Sequence, residues 1–299
     1  MRQNLDPGDF PLNDTHANPV KLGFKETMTP LSRIAIVANA TKPGALEAVE
    51  LLEGLARAVG AETFVTTEFP PPAGFLEGMD ACFVVGGDGT LLGTLEEAVA
   101  RNVPVAGVRR GRVGFLATFS PDELAERVPA ILQGAYRVGR RSLLRCRVPG
   151  GESRLALNDV VVKSGSVSRL ARFVVRSGEE PVAEYACDGV ILSTPTGSTA
   201  YNLAAGGPLV HPSAHVVVMT PISAHTLTSR SVIFPREARL VVESAGEQEP
   251  PLVSADGQDA FSGPDCLPLE VVVPKETFPL LEEESHSHFR LLRNKLKWD

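Results

Sequence analysis

The sequence predicts an α/β N-terminal domain with a parallel, Rossmann-like sheet, followed by a β-rich, sandwich-like C-terminal domain. Three observations predict it. Strand and helix patterns alternate from Ile34 to Val108. From about Leu143 onward, β-branched runs separated by turn residues replace them. The apolar run Cys82–Val85 leads straight into Gly86-Gly87-Asp88-Gly89-Thr90, with a helix pattern directly behind. Alternating strands and helices imply a parallel sheet with right-handed crossovers. Ligands of such sheets bind at the carboxyl ends of the strands, where residues 86–90 fall.

The elements follow in order. The stretch through Met28 lacks periodicity and carries several Pro, Asn and Asp residues, which reads as a loose extension. Ile34–Val37 is a short apolar strand ending in the turn Thr41-Lys-Pro-Gly44. Leu46, Val49, Leu52, Leu55, Ala56 and Val59 recur at helical spacing until Gly60 stops them. Thr63–Thr66 and Ala81–Val85 are strands, and Leu91, Leu92, Leu95, Ala98 and Val99 mark one helix before the strand Val105–Val108. Leu155–Lys163, Leu170–Arg176, Val182–Ala186, Val190–Leu192, His215–Met219, Leu240–Glu243 and Leu269–Val273 read as strands of the second domain. Phe289–Trp298 is basic with Leu291, Leu292 and Leu296 at helical spacing, a tail expected to dock on the first domain. The expected divisions are 1–31 (extension), 32–130 (α/β domain), 131–280 (β-rich domain) and 281–299 (tail).

Bulk composition narrows the function. The 299 residues are 43% hydrophobic and 22% charged, as in globular proteins. A net charge of −7 argues against a general nucleic-acid binder. It leaves room for a small anionic ligand at a local cluster. Arg109, Arg110 and Arg112 form one cluster; Arg137, Arg140, Arg141, Arg145 and Arg147 form another, read as solvated surface. The four cysteines show no CxxC spacing and the six histidines no HExxH, so no protein-built metal site is expected, and His286-x-His288 reads as surface. Thiols in apolar runs suit a reducing, cytoplasmic setting. No apolar run approaches the ~18 residues of a membrane span, and the first residues lack the order of a signal peptide.

Four constellations carry chemistry. In residues 86–90, glycines without Cβ let backbone N–H groups approach an anion, and the following helix adds its positive dipole end. An aspartate there is repelled by the phosphate it faces. Asp88 therefore needs a task, metal binding or proton removal, unless it is a plain helix cap. Neither GxxxxGK[ST] nor GxGxxG is present. The second constellation is Asp188–Asn202, where Ser193, Thr194, Thr196, Ser198 and Thr199 surround a Pro and a Gly, and Tyr201 adds a ring. Hydroxyls and a ring suit a nucleotide, the alternative being a polar turn with Ser198 or Thr199 as cap. Third, Asn158-Asp159 interrupts an apolar strand; a buried carboxylate there needs a sugar hydroxyl or metal as partner, unless it faces water at an edge. Ser254-Ala-Asp256-Gly257-Gln258 reads as a hairpin turn.

Together these residues resemble the NAD kinase family. The resemblance rests on Gly86–Thr90, the Gly107-to-Phe115 segment with Gly114-Phe115-Leu116, Asn158-Asp159, Asp188 through Asn202, Gly206-Gly-Pro208, His225–Arg230, Asp256-Gly-Gln258 and the closing Leu292-Arg-Asn-Lys-Leu296 with Trp298. These stand in family order over about residues 33 to 299. GGDGT alone is shared with phosphofructokinases and the diacylglycerol and sphingosine kinases. The resemblance implies transfer of a phosphoryl group from ATP or polyphosphate to the 2′-hydroxyl of the adenosine ribose of NAD, giving NADP. It implies that Asp88 is the base or hydroxyl-orienting residue, that Gly86, Gly87, Gly89 and Thr90 form the phosphate loop with Gly89 also on the NAD side, and that Asn158 and Asp159 hold NAD near the transferred group. Asp188, Thr199, Ala200 and Tyr201 would line the rest of the dinucleotide. It also implies Mg²⁺ or another divalent cation arriving with the nucleotide, and a homodimer or homotetramer; the net charge and the lack of a long apolar run argue against nucleic-acid and membrane partners. One departure is Arg109, where many relatives carry Asn. The alternatives are a lipid or sugar kinase of the GGDG group and a non-catalytic NAD(P)-binding module.

Overall fold

The structure is a computed structural model that describes residues 29–109, 114–165, 171–226, 228–246, 249–283 and 286–298. Arg110, Arg112 and the extension through Met28 lie outside the described residues. The first half contains β1 (Arg33–Ala38), α1 (Ala45–Ala58), β2 (Glu62–Thr66), β3 (Ala81–Val85), α2 (Asp88–Leu92), α3 (Leu95–Arg101), β4 (Val105–Val108), β5 (Ala117–Phe119), α4 (Pro121–Leu132) and β6 (Arg137–Ser142). Then come β7 (Leu144–Arg147), β8 (Ser153–Ala156), β9 (Asp159–Lys163), β10 (Ala171–Ser177), β11 (Glu180–Cys187), β12 (Gly189–Ser193), α5 (Tyr201–Ala204) and β13 (Val216–Ile222). The chain closes with β14 (Val232–Pro235), β15 (Leu240–Ser244), β16 (Leu252–Ala255), β17 (Gln258–Ser262), β18 (Leu269–Val272), β19 (Thr277–Glu282) and α6 (His288–Leu296).

The first sheet runs β2-β1-β3-β4-β19-β6, with β5 paired to β4. Strands β1 to β5 pair in parallel, β19 pairs parallel to β4, and β6 is antiparallel to β19. Its central strands β1, β3 and β4 read as near-unbroken apolar runs because both faces are covered. Ile34, Ile36, Phe83 and Val85 pack with α1 and α4, while Ala35, Val37, Cys82 and Val84 pack with Leu91 and Leu95 on the other face. The single helix expected over 91–99 is two, α2 and α3. The cause is local: the Phe69 ring occupies the space a side chain at Gly93 would take, and the Thr94 hydroxyl donates to the Leu91 carbonyl at 2.7 Å.

Two six-stranded antiparallel sheets form the rest, in orders β11-β10-β15-β18-β7-β8 and β14-β13-β12-β9-β16-β17. They share one core, Phe173, Val175, Leu240 and Val242 of the first meeting Val160, Val190, Leu192 and Met219 of the second. This is the sandwich the alternating runs predict. All four cysteines are free and buried.

Strand β19 leaves the sandwich and re-enters the first sheet. Buried Glu282 is held there by Arg137 and Arg141 of β6, so these two members of the second arginine cluster are carboxylate partners rather than solvated surface. Beyond β19, Glu283 pairs with Arg127 of α4 at 3.0 Å, while the His288 ring lies 5.1 Å from that of His211. The one strand expected over 155–163 is also two. β8 and β9 belong to different sheets, and the chain bends between them at Leu157–Asn158.

Candidate active site

The glycine loop hangs between strand ends. The Gly86 amide donates to the Val108 carbonyl at 2.9 Å, and the Asn39 amide to the Val85 carbonyl at 2.9 Å, tying β1, β3 and β4 together at their carboxyl ends. Gly87 occupies the cap position and Asp88 is the first residue of α2. Asp88 is thus not the cap, and its carboxylate is left for other use. That side chain is 40% exposed and forms an ion pair with Arg109, Oδ2 to Nη1 3.7 Å. A Cβ on Gly86 would fall 2.5 Å from the Thr90 hydroxyl, so buried Thr90 closes the loop from beneath. A Cβ on Gly114 would fall 2.5 Å from Asp88 Oδ1, so only a bare α-carbon lets the carboxylate sit where it does. Gly87 and Gly89 have open space around them. Beside the loop lies a cavity of about 380 Å³ lined by Lys42, Gly44, Ala48, Gly86, Gly87 and Arg109.

The second cluster is built on the bend. Leu157 enters the core that holds Leu91 and Leu95, which draws the bend against α2 and α3. Asp256 holds it from the other side. Its carboxylate accepts from the amides of Leu157 at 2.7 Å, Asn158 at 2.7 Å and Asp159 at 3.1 Å, and its own amide donates to the Asp159 carbonyl at 2.9 Å. Asp256 and Gly257 take φ of 52° and 75° in the two-residue turn joining β16 to β17. The hairpin reading of Asp-Gly holds. The reading missed the side chain's three amide partners, which lie far away in sequence and leave no local signal.

Asp159 is only 5% exposed, so it is not an edge residue facing water. Burial, and then the neighbouring Asp256, push its carboxyl up to about 7, while Lys163 and the Tyr201 amide pull the other way. Burial likewise raises Asp256 against the three amides that stabilise its charge. Lys163 Nζ sits 4.8 Å from the centre of the Tyr201 ring.

The hydroxyl run folds onto the same bend. The Asn158 backbone lies where a side chain on Gly197 would go, so residue 197 can pack flush only as glycine. Ser193 donates to the Thr194 carbonyl at 3.0 Å, Thr194 to the Leu157 carbonyl at 2.6 Å, and Ser198 to the Pro195 carbonyl at 2.7 Å. These three hydroxyls are spent on the chain, which corrects the expectation that the run as a whole faces a nucleotide. Neither Ser198 nor Thr199 caps α5, whose cap position is Ala200. Thr199, whose hydroxyl donates to the Thr196 carbonyl at 3.1 Å, Ala200 and Tyr201 are half-buried, close to Asp159 through the Tyr201 amide. Asp188 is exposed and stands apart. β12 pairs Gly189 with Lys163 and Ser193 with Asp159, so Asp188 lies at the opposite end of that strand from Asp159. Among the described residues no group of three or more His, Cys, Asp or Glu is placed to hold a metal ion, and no helix is long and apolar enough to cross a membrane.

Residues 56–136 match the family described as the ATP-NAD kinase N-terminal domain, and residues 157–280 the ATP-NAD kinase C-terminal domain. An NAD kinase of Pseudomonas putida (strain W619) is 38% identical over 227 residues, which is 73% of this chain and 76% of that protein. One from Azotobacter vinelandii is 39% identical over 228 residues, with the same coverage of 73% and 76%. Among solved structures, an NAD kinase from Archaeoglobus fulgidus in complex with ATP is 26% identical, with a TM-score of 0.68 over 89% of this chain and 98% of that one. Yeast NADH kinase complexed with NADH is 22% identical, with a TM-score of 0.77 over 91% of this chain and 89% of that one, a likeness of fold.

Proposed function

Since the chain belongs to the NAD kinase family and is an NAD kinase, we propose that Asp88 receives the 2′-hydroxyl proton of the adenosine ribose of NAD during phosphoryl transfer. The relatives remove the lipid-kinase, sugar-kinase and non-catalytic alternatives. The observation that carries the role is the setting of Asp88: a half-exposed carboxylate at the head of α2, in space opened by Gly114, beside a glycine loop.

The step balances simply. The bond from the donor's bridging oxygen to the terminal phosphorus breaks, and its electron pair leaves with the shortened donor. The ribose 2′-oxygen bonds that phosphorus and gives its proton to Asp88. Phosphoryl transfer requires alignment and charge neutralisation more than covalent help from the protein. The backbone of Gly86, Gly87, Gly89 and Thr90 forms the phosphate side. Asn158 and Asp159 hold the ribose, Asp159 as a group that titrates near neutrality and so can donate or accept a hydrogen bond. The Tyr201 ring packs on the dinucleotide, with Thr199 and Ala200 beside it. The first sheet, to which β6 and β19 belong, then carries the donor side, and the two-sheet sandwich the NAD side.

One half-exposed carboxylate, with no acidic cluster among the described residues, fits a divalent cation, Mg²⁺ by preference, that would arrive on the donor's phosphates and supply charge neutralisation there. Exposed Asp188 suits contact with NAD bound to a second copy, and exposed Ile233 and Leu252 on the second sandwich sheet suit a homodimer or homotetramer. Four free thiols suit the cytoplasm. The test incubates the purified chain with NAD or NADH, each with ATP or polyphosphate, with Mg²⁺ or EDTA. The reading expects cation-dependent NADP from NAD; product that appears equally in EDTA contradicts the cation, and no product from any pair contradicts the whole.

A further inference from the structure

A carboxylate on a phosphate loop poses a problem of charge. Asp88 and the donor's phosphates are all anionic, and they must approach one another for transfer to occur. We propose that Arg109 solves it: its guanidinium spans the donor cavity and Asp88, and binds the phosphoryl group as it moves. This rests on the NAD kinase reading above and names the residue that serves its phosphoryl path.

The placement is specific. Arg109 follows β4 at its carboxyl end, and its amide is fastened to the Phe119 carbonyl at 2.9 Å. With Lys42, Gly44, Gly86 and Gly87 it lines the cavity of about 380 Å³; two cations and bare backbone form one side of it, and Pro43, Ala45, Ala48, Val85 and Val108 make the rest apolar. The side with Lys42, Arg109 and the glycine backbone suits a chain of phosphates. Arg109 also reaches out of the cavity wall to Asp88, at 3.7 Å. This is an ion pair too long to be a hydrogen bond, and both side chains are 40% exposed. A Cβ on Gly114 would lie 2.5 Å from Asp88 Oδ1 and 3.2 Å from Arg109 Nη1, so both groups flank one bare α-carbon. Among the described residues, Arg109 is the cation paired with Asp88.

The guanidinium carries five N–H donors in a planar fork that matches phosphate oxygens, and pairing with Asp88 does not exhaust them. Before transfer Arg109 offsets the repulsion between Asp88 and the donor. As the bond to the leaving oxygen breaks and Asp88 takes the 2′-proton, the Asp88 charge is cancelled. Arg109 is then left wholly to the oxygens of the transferred phosphoryl group, where charge is spread in the transition state. A neutral side chain at this position cannot do this.

The test uses the full chain with Arg109→Asn and Arg109→Lys. Initial rates of NADP formation are measured against ATP, NAD dissociation constants by equilibrium dialysis, and inhibition by inorganic tripolyphosphate in competition with ATP. Arg109→Asn is expected to lower kcat/KM for ATP by about 30-fold or more and to weaken tripolyphosphate about tenfold, while NAD affinity stays within about twofold. Arg109→Lys restores part of the loss, because it returns the charge without the fork. The inference is overturned if Arg109→Asn stays within about threefold of the parent for ATP, or if NAD affinity falls by the same factor as kcat/KM, which marks a merely structural residue. A parent chain that makes no NADP with ATP or polyphosphate overturns the function itself, and this inference with it.

Discussion

Asp88 and Asp256 are the same side chain in opposite settings. Asp256 is half-buried, and its oxygens accept from three consecutive backbone amides. Asp88 is 40% exposed at the head of a short helix, and its partner is an arginine at ion-pair distance. The difference teaches that what already occupies a carboxylate's lone pairs decides its work. Asp256 is committed to holding the bend that positions Asn158 and Asp159. Among the described residues Asp88 has no hydrogen-bonded clamp of that kind, only a loose ion pair. Asp159 is more buried than either, 5% exposed, with its carboxyl pushed up to about 7.

The comparison can be broken most severely at Asp88. Asp88→Asn keeps shape but cannot accept a proton, so kcat should fall by ~10²- to 10⁴-fold while the urea midpoint is unchanged. Loss of stability with retained turnover would exchange the two roles. Asp256→Ala should do the reverse. Three amides lose their acceptor, and unfolding in urea should show a loss of roughly 2–4 kcal/mol, the scale for leaving several buried polar groups unmatched. Unchanged stability would show that the bend holds without its clamp.

Asp159 sharpens the comparison through pH. Its carboxyl titrates at about 7 in the folded chain against an ordinary value of 3.8. Between those values the folded chain holds a proton that the unfolded chain has released, so this group's contribution to stability declines as pH rises through that window and levels off above it. Asp159→Asn removes the decline. Relative to the parent, the variant should gain roughly 1–3 kcal/mol at about pH 8 over about pH 5; equal gains at both would show an ordinary carboxylate. The smallest effect belongs to Tyr201→Ala, which should raise KM for NAD about fivefold with kcat within about twofold. A change mainly in kcat would move Tyr201 from packing into the chemistry.

Strands β1 to β4 and helix α1 of the parallel half were legible because their signals are local, whereas β5 and α4 went unread. Apolar runs, helical spacing at 46–59 and glycines at strand ends all act within one element. Strands β6 and β19 were not legible. Arg137–Ser142 is mostly polar and Thr277–Glu282 contains a proline, and each becomes a strand by pairing with a partner more than a hundred residues away. The break between β8 and β9 was hidden for the same reason, since the run from Leu155 to Lys163 looks continuous and the bend is imposed by Asp256. At the site, glycines around one carboxylate were readable because the chemistry needs them adjacent. The hydroxyls at 193–199 were over-read. Sequence shows that a hydroxyl is present but not whether a carbonyl from another strand has taken it, as the Leu157 carbonyl takes Thr194.

The most direct test is the distance from the Asp88 carboxylate to the 2′-oxygen of the adenosine ribose in a crystal structure of the chain with NAD. Hydrogen-bond reach, about 2.6–3.2 Å, is the result predicted. NAD bound with that oxygen well outside such reach, and some other side chain against it, would contradict the assignment.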